Sequence, residues 1–243
     1  MQQPDARFVA LKSEMQQAIL ALHRLRAQLL KFRIMQTNAL RGLLYEFGEV
    51  LPAGHAALAK ALPVALAGLD ARLPAVLVDS LREQWARVLG ADQEIAAIER
   101  RLRITLRDTP SCQAVAAIPG VGLLTAAAAA AVASIGEAKT FKSGREFAAW
   151  LGLVPRQRGT GGRIRQLGIS KRGDVYLRTL LMHGARAMIL RNSHAPWLAE
   201  LLKRRPYNVV VAAVANKLAR TLWAVLAKGK PCDPAAFSAA AAT

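Results

Sequence analysis

The chain has 243 residues, 53% hydrophobic and 21% charged, which suffices for one large or two small packed domains and excludes an intrinsically disordered polypeptide. Lys and Arg number 34 against 16 Asp and Glu, a net charge of +18, with a pI near 11.1. A surplus of that size works against compactness through self-repulsion, so a polyanionic partner is expected, nucleic acid ahead of anionic lipid.

The first predicted element opens at Ser13-Glu14-Met15-Gln16, where Ser13 can cap the amide of Gln16 and Gln16 can reach back. A seven-residue pattern follows: Met15, Leu22, Leu29, Gln36 and Leu43, alternating with Ala18, Leu25, Phe32 and Ala39. It reads either as a coiled-coil seam, which predicts a homo-oligomer, or as the apolar side of a helix packed on its own domain. The helix is expected to stop near Gly48. Residues 52 to 74, with Pro52, Gly54, Pro63, Gly68 and Pro74, read as a turn-rich connector with short helical pieces. A second long helix is predicted from about Pro74 to Arg107, with Leu77, Leu81, Trp85, Val88, Ile95, Ile98 and Leu102 in its stripe. Together these predict an antiparallel helical hairpin.

Thr109-Pro110 closes that region, and a compact domain is expected beyond it. Its first signal is Ile118-Pro119-Gly120-Val121-Gly122-Leu123-Leu124-Thr125, flanked by helical sequence. This resembles the turn of a helix-hairpin-helix, in which Gly120, Gly122 and Thr125 would bring backbone amides to a phosphate; a purely structural turn is the alternative. Next, Phe141, Phe147 and Trp150 lie among Lys139, Lys142 and Arg145, at spacings that favour the core face of a helix over base stacking. The most basic stretch runs from Pro155 to Asp174. Arg156, Arg158, Arg163, Arg165, Lys171, Arg172, Arg178, Arg186 and Arg191 face one acid, Asp174, between residues 156 and 191. Glycines, among them Gly161 and Gly162, would let the backbone of this loop approach a ligand, and arginine forks suit phosphate oxygens. Ser170 reads as the N-cap of the next helix and a nucleic-acid contact. Val175 to Ile189 and Val209 to Leu226 read as amphipathic helices covering the core.

Cys112 and Cys232 are far apart, and His23, His55, His183 and His194 form no HxxxH pair, so no metal-ligand spacing is seen. The start, Met-Gln-Gln-Pro-Asp-Ala-Arg, is no signal peptide. The uncharged stretch Thr109 to Gly136 is broken by Pro119, Gly120 and Gly122, and its long, alanine-rich part is shorter than a membrane span needs. A soluble, cytoplasmic protein with no membrane partner is expected.

Ala-Trp-Leu-Gly-Leu-Val-Pro-Arg-Gln (149 to 157), Thr-Gly-Gly, and Leu-Gly-Ile-Ser-Lys-Arg-Gly-Asp-Val-Tyr-Leu-Arg (167 to 178) resemble the C-terminal domain of the Piv/MooV-like insertion-sequence transposases, the insertion-sequence family numbered one-hundred-ten. The Ile-Pro-Gly-Val-Gly turn sits where that family has it, and Arg7-Phe8-Val9 through Leu44, with Gly48 to Leu51, resembles its coiled-coil region. The resemblance covers residues 6 to about 233. It implies a DNA-binding recombinase acting in bacterial transposition, near the nucleoid, with a structured guide RNA. It also implies two catalytic parts: an N-terminal nuclease-like domain whose four acids bind divalent metal, and a serine in the loop after Pro-Arg-Gln. The chain starts where the acidic domain would end, so no cofactor is expected within it, and metal only with that domain. Thr160 stands where the serine would lie, either as nucleophile or as a phosphate-contacting turn residue.

The expected architecture is all-α: a helical hairpin over 8–108, a compact domain with a helix-hairpin-helix over 109–233, and a disordered tail over 234–243. The expected function is that of a DNA-binding transposase, the alternative being an inert nucleic-acid-binding and dimerisation fragment.

Overall fold

The structure, a computed structural model, describes residues 13–107, 109–133, 141–193, 195–229, 231–233 and 237. The expected start at residue 8, Lys139, His194 and the expected tail apart from Phe237 lie outside these. The described residues form nine helices and one two-stranded sheet, so the expectation of an all-α fold holds, with a small β-ribbon added. By their contacts the residues divide into two compact units. One is Leu22–Arg101; the other is Leu102–Thr243 with the stretch up to Ala21.

Helix α1 (Glu14–Glu46) opens on the predicted capping box: the Ser13 amide donates to Gln16 Oε1 (2.8 Å) and the Gln16 amide to Ser13 Oγ (3.3 Å). It ends at Gly48, whose φ of 83° lets the Glu49 amide turn back to the Leu44 carbonyl at 3.0 Å. The expected connector is instead a full helix, α2 (His55–Leu69), with Pro63 inside it. Leu58, Leu62, Leu66 and Leu69 line its buried side. That stripe outweighs the amide hydrogen bond that Pro63 forfeits.

Helix α3 (Ala75–Arg107) runs antiparallel to α1 through the Leu22–Arg101 unit, as three side-chain pairs show. Arg26 meets Glu99 at 2.7 Å, Arg33 meets Asp92 at 2.7 Å, and Gln84 donates to Gln36 at 2.6 Å. The seven-residue period is as predicted, but the buried side is not the stripe read from the sequence. The inward positions on α1 are His23, Arg26, Leu30, Arg33, Thr37, Leu40 and Leu44. They pack against Val78, Leu81, Trp85, Val88, Asp92, Ile95 and Glu99. The predicted stripe is largely outside: Met15 is 61% exposed, Leu25 51% and Leu43 38%.

In the other unit α4 (Pro110–Ala116) and α5 (Leu123–Ala133) flank the glycine turn, and α6 (Gly144–Trp150) follows. Ser143 caps α6 by accepting from the Glu146 amide at 3.3 Å. Phe141, Phe147 and Trp150 form one aromatic cluster with centroids 5.2–5.9 Å apart; buried Phe147 and half-buried Phe141 match the core reading, whereas Trp150, at the end of α6, is 41% exposed and does not. Strands β1 (Pro155–Thr160) and β2 (Arg163–Ile169) come next, then α7 (Val175–Arg191), α8 (Pro196–Arg204) and α9 (Tyr207–Lys228). Asp174, not Ser170, caps α7: its carboxylate accepts from the Leu177 amide at 2.7 Å, because an N-cap must immediately precede the first turn.

Helix α9 is the centre of this unit and packs against α4, α5, α6, α7 and α8. Val210, Val211, Val214, Ala215, Leu218, Ala219, Leu222 and Val225 are all buried. It alone among the described helices is long and apolar enough to cross a membrane, and the burial of that wide face in the core accounts for its apolarity.

Candidate nucleic-acid interface

Residues 155–169, read as a loop, form an antiparallel hairpin closed by Gly161 and Gly162, at φ of 59° and 80°. Two adjacent positive φ values are what a two-residue type I′ turn requires. Pairing runs Thr160 with Arg163, Gly159 with Ile164, Arg158 with Arg165 and Gln157 with Gln166, and then a bulge in β2 sets Leu167 and Gly168 opposite Arg156. Every residue of both strands is exposed except Ile169, which is half-buried. The hairpin therefore has no core of its own on either face.

Its composition is sorted by face. Residues two apart share a side of a strand. Arg158 and Thr160 of β1 lie with Arg163 and Arg165 of β2 on one face; Gln157, Gly159, Ile164 and Gln166 lie on the other. Arg158 stands directly opposite Arg165. Like charges in that position destabilise a bare ribbon, and no Asp or Glu occurs between residues 147 and 173 to offset them. The arrangement suits a row of anionic oxygens outside the protein.

The base of the hairpin is rigid. The Ser170 amide donates to the Val154 carbonyl (2.9 Å) and the Lys171 amide to that of Gly152 (3.1 Å). Lys171 holds a φ of 57°, rare for a side-chain-bearing residue, and its side chain and that of Arg172 are exposed. A Cβ at Gly173 would stand 1.8 Å from the Trp150 carbonyl oxygen, so the two segments meet backbone to backbone. Arg178, one of the basic residues between 156 and 191, is turned inward. It is 8% exposed, and its Nη1 donates to the carbonyls of Leu151 (2.9 Å) and Arg172 (2.7 Å). It staples the end of α6 to the loop before α7. A basic residue in a basic run gives no sign of this, and the two accepting carbonyls are visible only in the fold.

The glycine turn divides its expected residues. Gly120 is packed against α7: a Cβ there would meet the Gly184 carbonyl oxygen at 2.8 Å, and one at Gly184 would meet that of Gly120 at 2.2 Å. Thr125 is 6% exposed and faces the interior. Gly122 is exposed, with nothing near its missing Cβ. Of the three, Gly122 at the opening of α5 is the one exposed to solvent. Thr160 has no His, Cys, Asp or Glu anywhere in the hairpin to serve as base. The other carboxylates nearest in sequence are engaged: Glu146 accepts from the Lys142 amide (2.7 Å) and Asp174 caps α7. No group of three or more His, Cys, Asp or Glu residues that could hold a metal ion occurs among the described residues.

Residues 112–202, from α4 into α8 and including the whole hairpin, match the family described as Transposase IS116/IS110/IS902 family. The chain is 45% identical over 231 residues to a protein of Pseudomonas aeruginosa named probable family 20 transposase, covering 93% of this chain and 68% of that one. It is 39% identical to the transposase for insertion sequence element IS1328 of Yersinia enterocolitica, with 93% and 68% covered. It is 38% identical to the transposase for insertion sequence element IS1111A of Coxiella burnetii, with 91% and 62% covered. The chain thus spans about two thirds of the length of these relatives. The match takes in the arginine hairpin, its clasp and the glycine turn together, and the chain belongs to the IS116/IS110/IS902 transposase family.

Proposed function

We propose that the chain binds DNA during transposition of an insertion sequence, in the bacterial cytoplasm, by seating the arginine face of the β1–β2 hairpin on the phosphate backbone. The single observation that carries this is the sorting of Arg158, Arg163, Arg165 and Thr160 onto one solvated face. Arg156 opposite the bulge, Lys171, Arg172, Ser170 and the exposed turns at Gly122 and Gly161-Gly162 extend the same surface. A structured guide RNA is a second proposed partner, since a duplex of either kind offers the same phosphates. Dimerisation through α1 is proposed as well, on the exposed stripe of Met15, Leu25 and Leu43.

The test is the salt dependence of binding to a duplex. With roughly six phosphates contacted, log affinity falls against log salt with a slope near −5. Arg158→Gln, Arg163→Gln and Arg165→Gln together flatten that slope by about 2 to 3. Gln157→Ala with Gln166→Ala, on the opposite face, leaves it unchanged. Equal effects from the two faces would falsify the assignment.

For Thr160 the observations favour contact over chemistry. Attack on a phosphodiester needs the hydroxyl deprotonated, the developing charge stabilised and the leaving oxygen protonated. Arg158, Arg163 and Arg165 can stabilise charge; the hairpin supplies neither base nor acid. Supercoiled DNA incubated with the chain and Mg²⁺, with and without guide RNA, yields no covalent adduct on this reading. An adduct mapped to Thr160 overturns it and makes Thr160 the nucleophile.

A further inference from the structure

Helix α9 forms one wall of a groove of about 890 Å³ whose rim is basic and which lies apart from the residues assigned above. Arg145, Lys217, Arg220 and Lys228 line it, with Asp233 the one carboxylate and Trp223 the large aromatic surface. The volume is that of a small-molecule site. A Cβ at Gly144 would stand 3.0–3.2 Å from Arg220 backbone and Cβ atoms, so α6 rests directly on α9 and sets Arg145 beside Arg220.

We propose that this groove holds a short single-stranded stretch of nucleic acid, with phosphates on Arg145, Arg220 and Lys228 and an unstacked base against Trp223. The cations alone would suit any anion. The half-buried Trp223, with the Lys228 ammonium 5.7 Å from its ring centroid, supplies the flat partner that a nucleobase uses and an acidic peptide does not. Lys217 is drawn inward over the Trp197 ring (4.2 Å) and the Phe237 ring (4.9 Å). Burial first, and the neighbouring Arg220 second, lower its pKa below the ordinary lysine value.

The groove is tied to the arginine hairpin by two elements. Asn216, in its lining, donates to the Leu153 carbonyl (3.2 Å) just ahead of β1. The first residues of α6 line the groove, whereas its last lead into the clasp at the hairpin base. A seven-residue helix is about 10 Å long, about three nucleotides of stacked strand. A strand leaving a duplex on the hairpin can enter the groove within a few nucleotides. The proposal rests on the hairpin reading for its direction and has a different signature.

Fluorescence anisotropy on the full chain separates them, with fluorescein-labelled dT15, rU15 and a 25-base-pair duplex as probes. Arg145→Ala, Arg220→Ala and Lys228→Ala combined should weaken dT15 and rU15 binding at least 10-fold and duplex binding less than 2-fold. Trp223→Leu should weaken both single strands by about 5- to 100-fold, and Trp223→Phe, which keeps a stacking surface, should recover most of it at unchanged circular dichroism. A preference for dT15 or for rU15 identifies which strand is the occupant. Equal loss of duplex and single strands from the groove variants overturns the proposal, as does competition by poly-glutamate as strong as by dT15. Hairpin variants that leave duplex affinity intact would instead sink the hairpin reading alone.

Discussion

Within five residues the glycine turn sets up a test of structure against contact. Gly120 and Gly122 carry the same expectation from sequence and sit in opposite surroundings. Gly120 has a φ of 81°, and a methyl there would approach the Gly184 carbonyl oxygen at 2.8 Å and Met188 Cβ at 3.1 Å. Left-handed backbone costs an alanine about 1 kcal/mol, and forcing the turn off α7 costs about 1–3 kcal/mol more. Gly120→Ala should therefore lose about 2–4 kcal/mol. Gly184→Ala is sharper, because helix propensity favours alanine by about 1 kcal/mol in the middle of α7. Its Cβ would lie 2.2 Å from the Gly120 oxygen, so the sign should be reversed, a net loss of about 1–2 kcal/mol. Gly122→Ala meets nothing and should change stability by less than about 0.5 kcal/mol. Urea unfolding followed by tryptophan emission in a Trp85→Phe background reads the Leu102–Thr243 unit, since Trp150, Trp197 and Trp223 all lie there. A Gly184→Ala protein more stable than its parent, or equal losses at Gly120 and Gly122, would refute the close contact.

Further outcomes follow from other contacts. Arg178→Met leaves the Leu151 and Arg172 carbonyls without their donor and should cost the same unit about 2–4 kcal/mol in that assay; a loss under about 1 kcal/mol contradicts the staple. Leu25→Glu with Leu29→Glu should give a monomer by sedimentation equilibrium, and a wild-type chain already monomeric at tens of micromolar removes the proposed dimer. Burial, aided by Arg26, lowers the His23 pKa from 6.5 to about 4. A histidine held neutral in the folded state contributes fully above pH 6.5, and that contribution is lost as pH falls from 6.5 towards 4. The Leu22–Arg101 unit should lose roughly 2 kcal/mol across that window, a loss absent from His23→Leu; identical pH profiles for the two proteins would contradict it.

Where hydrophobic period and caps carried the signal, the sequence was legible: α1 from its capping box, α3, the glycine turn between helices, α7, and the core aromatics Phe141 and Phe147. Three features escaped for separate reasons. Pro63 and two flanking glycines disguised α2, although Leu58, Leu62, Leu66 and Leu69 held helical spacing. The buried side of α1 is hidden from an apolar count because Arg26 and Arg33 occupy inward positions. The signal that could have found them was charge: arginines seven apart on α1 matched by Asp92 and Glu99 seven apart on α3. The hairpin resembles a loop in sequence because its period-two pattern is not carried by apolar residues. Here it is written in arginine, as Arg-x-Arg-x-Thr before Gly-Gly and Arg-x-Arg after it. Arg178 and Gly120 could not have been separated from their neighbours, since their roles depend on atoms distant in sequence.

The paired charges between α1 and α3 also decide how the two helices may be aligned. A heptad seam of leucines alone can slide by seven residues with little loss, since each layer resembles the next. Sliding α1 one heptad in one direction would set Arg33 against Trp85 and leave Glu99 without an arginine. Sliding it in the other would press Asp92 against Leu40 and strip it of Arg33, leaving His55 (2.7 Å) as its partner. Either shift also separates Gln36 from Gln84. A half-buried carboxylate that loses its arginine costs more than the apolar layers regain. The polar layers thus act as an indexing device, admitting one alignment of the pair and discarding its neighbours, as a single buried polar residue does in a coiled coil.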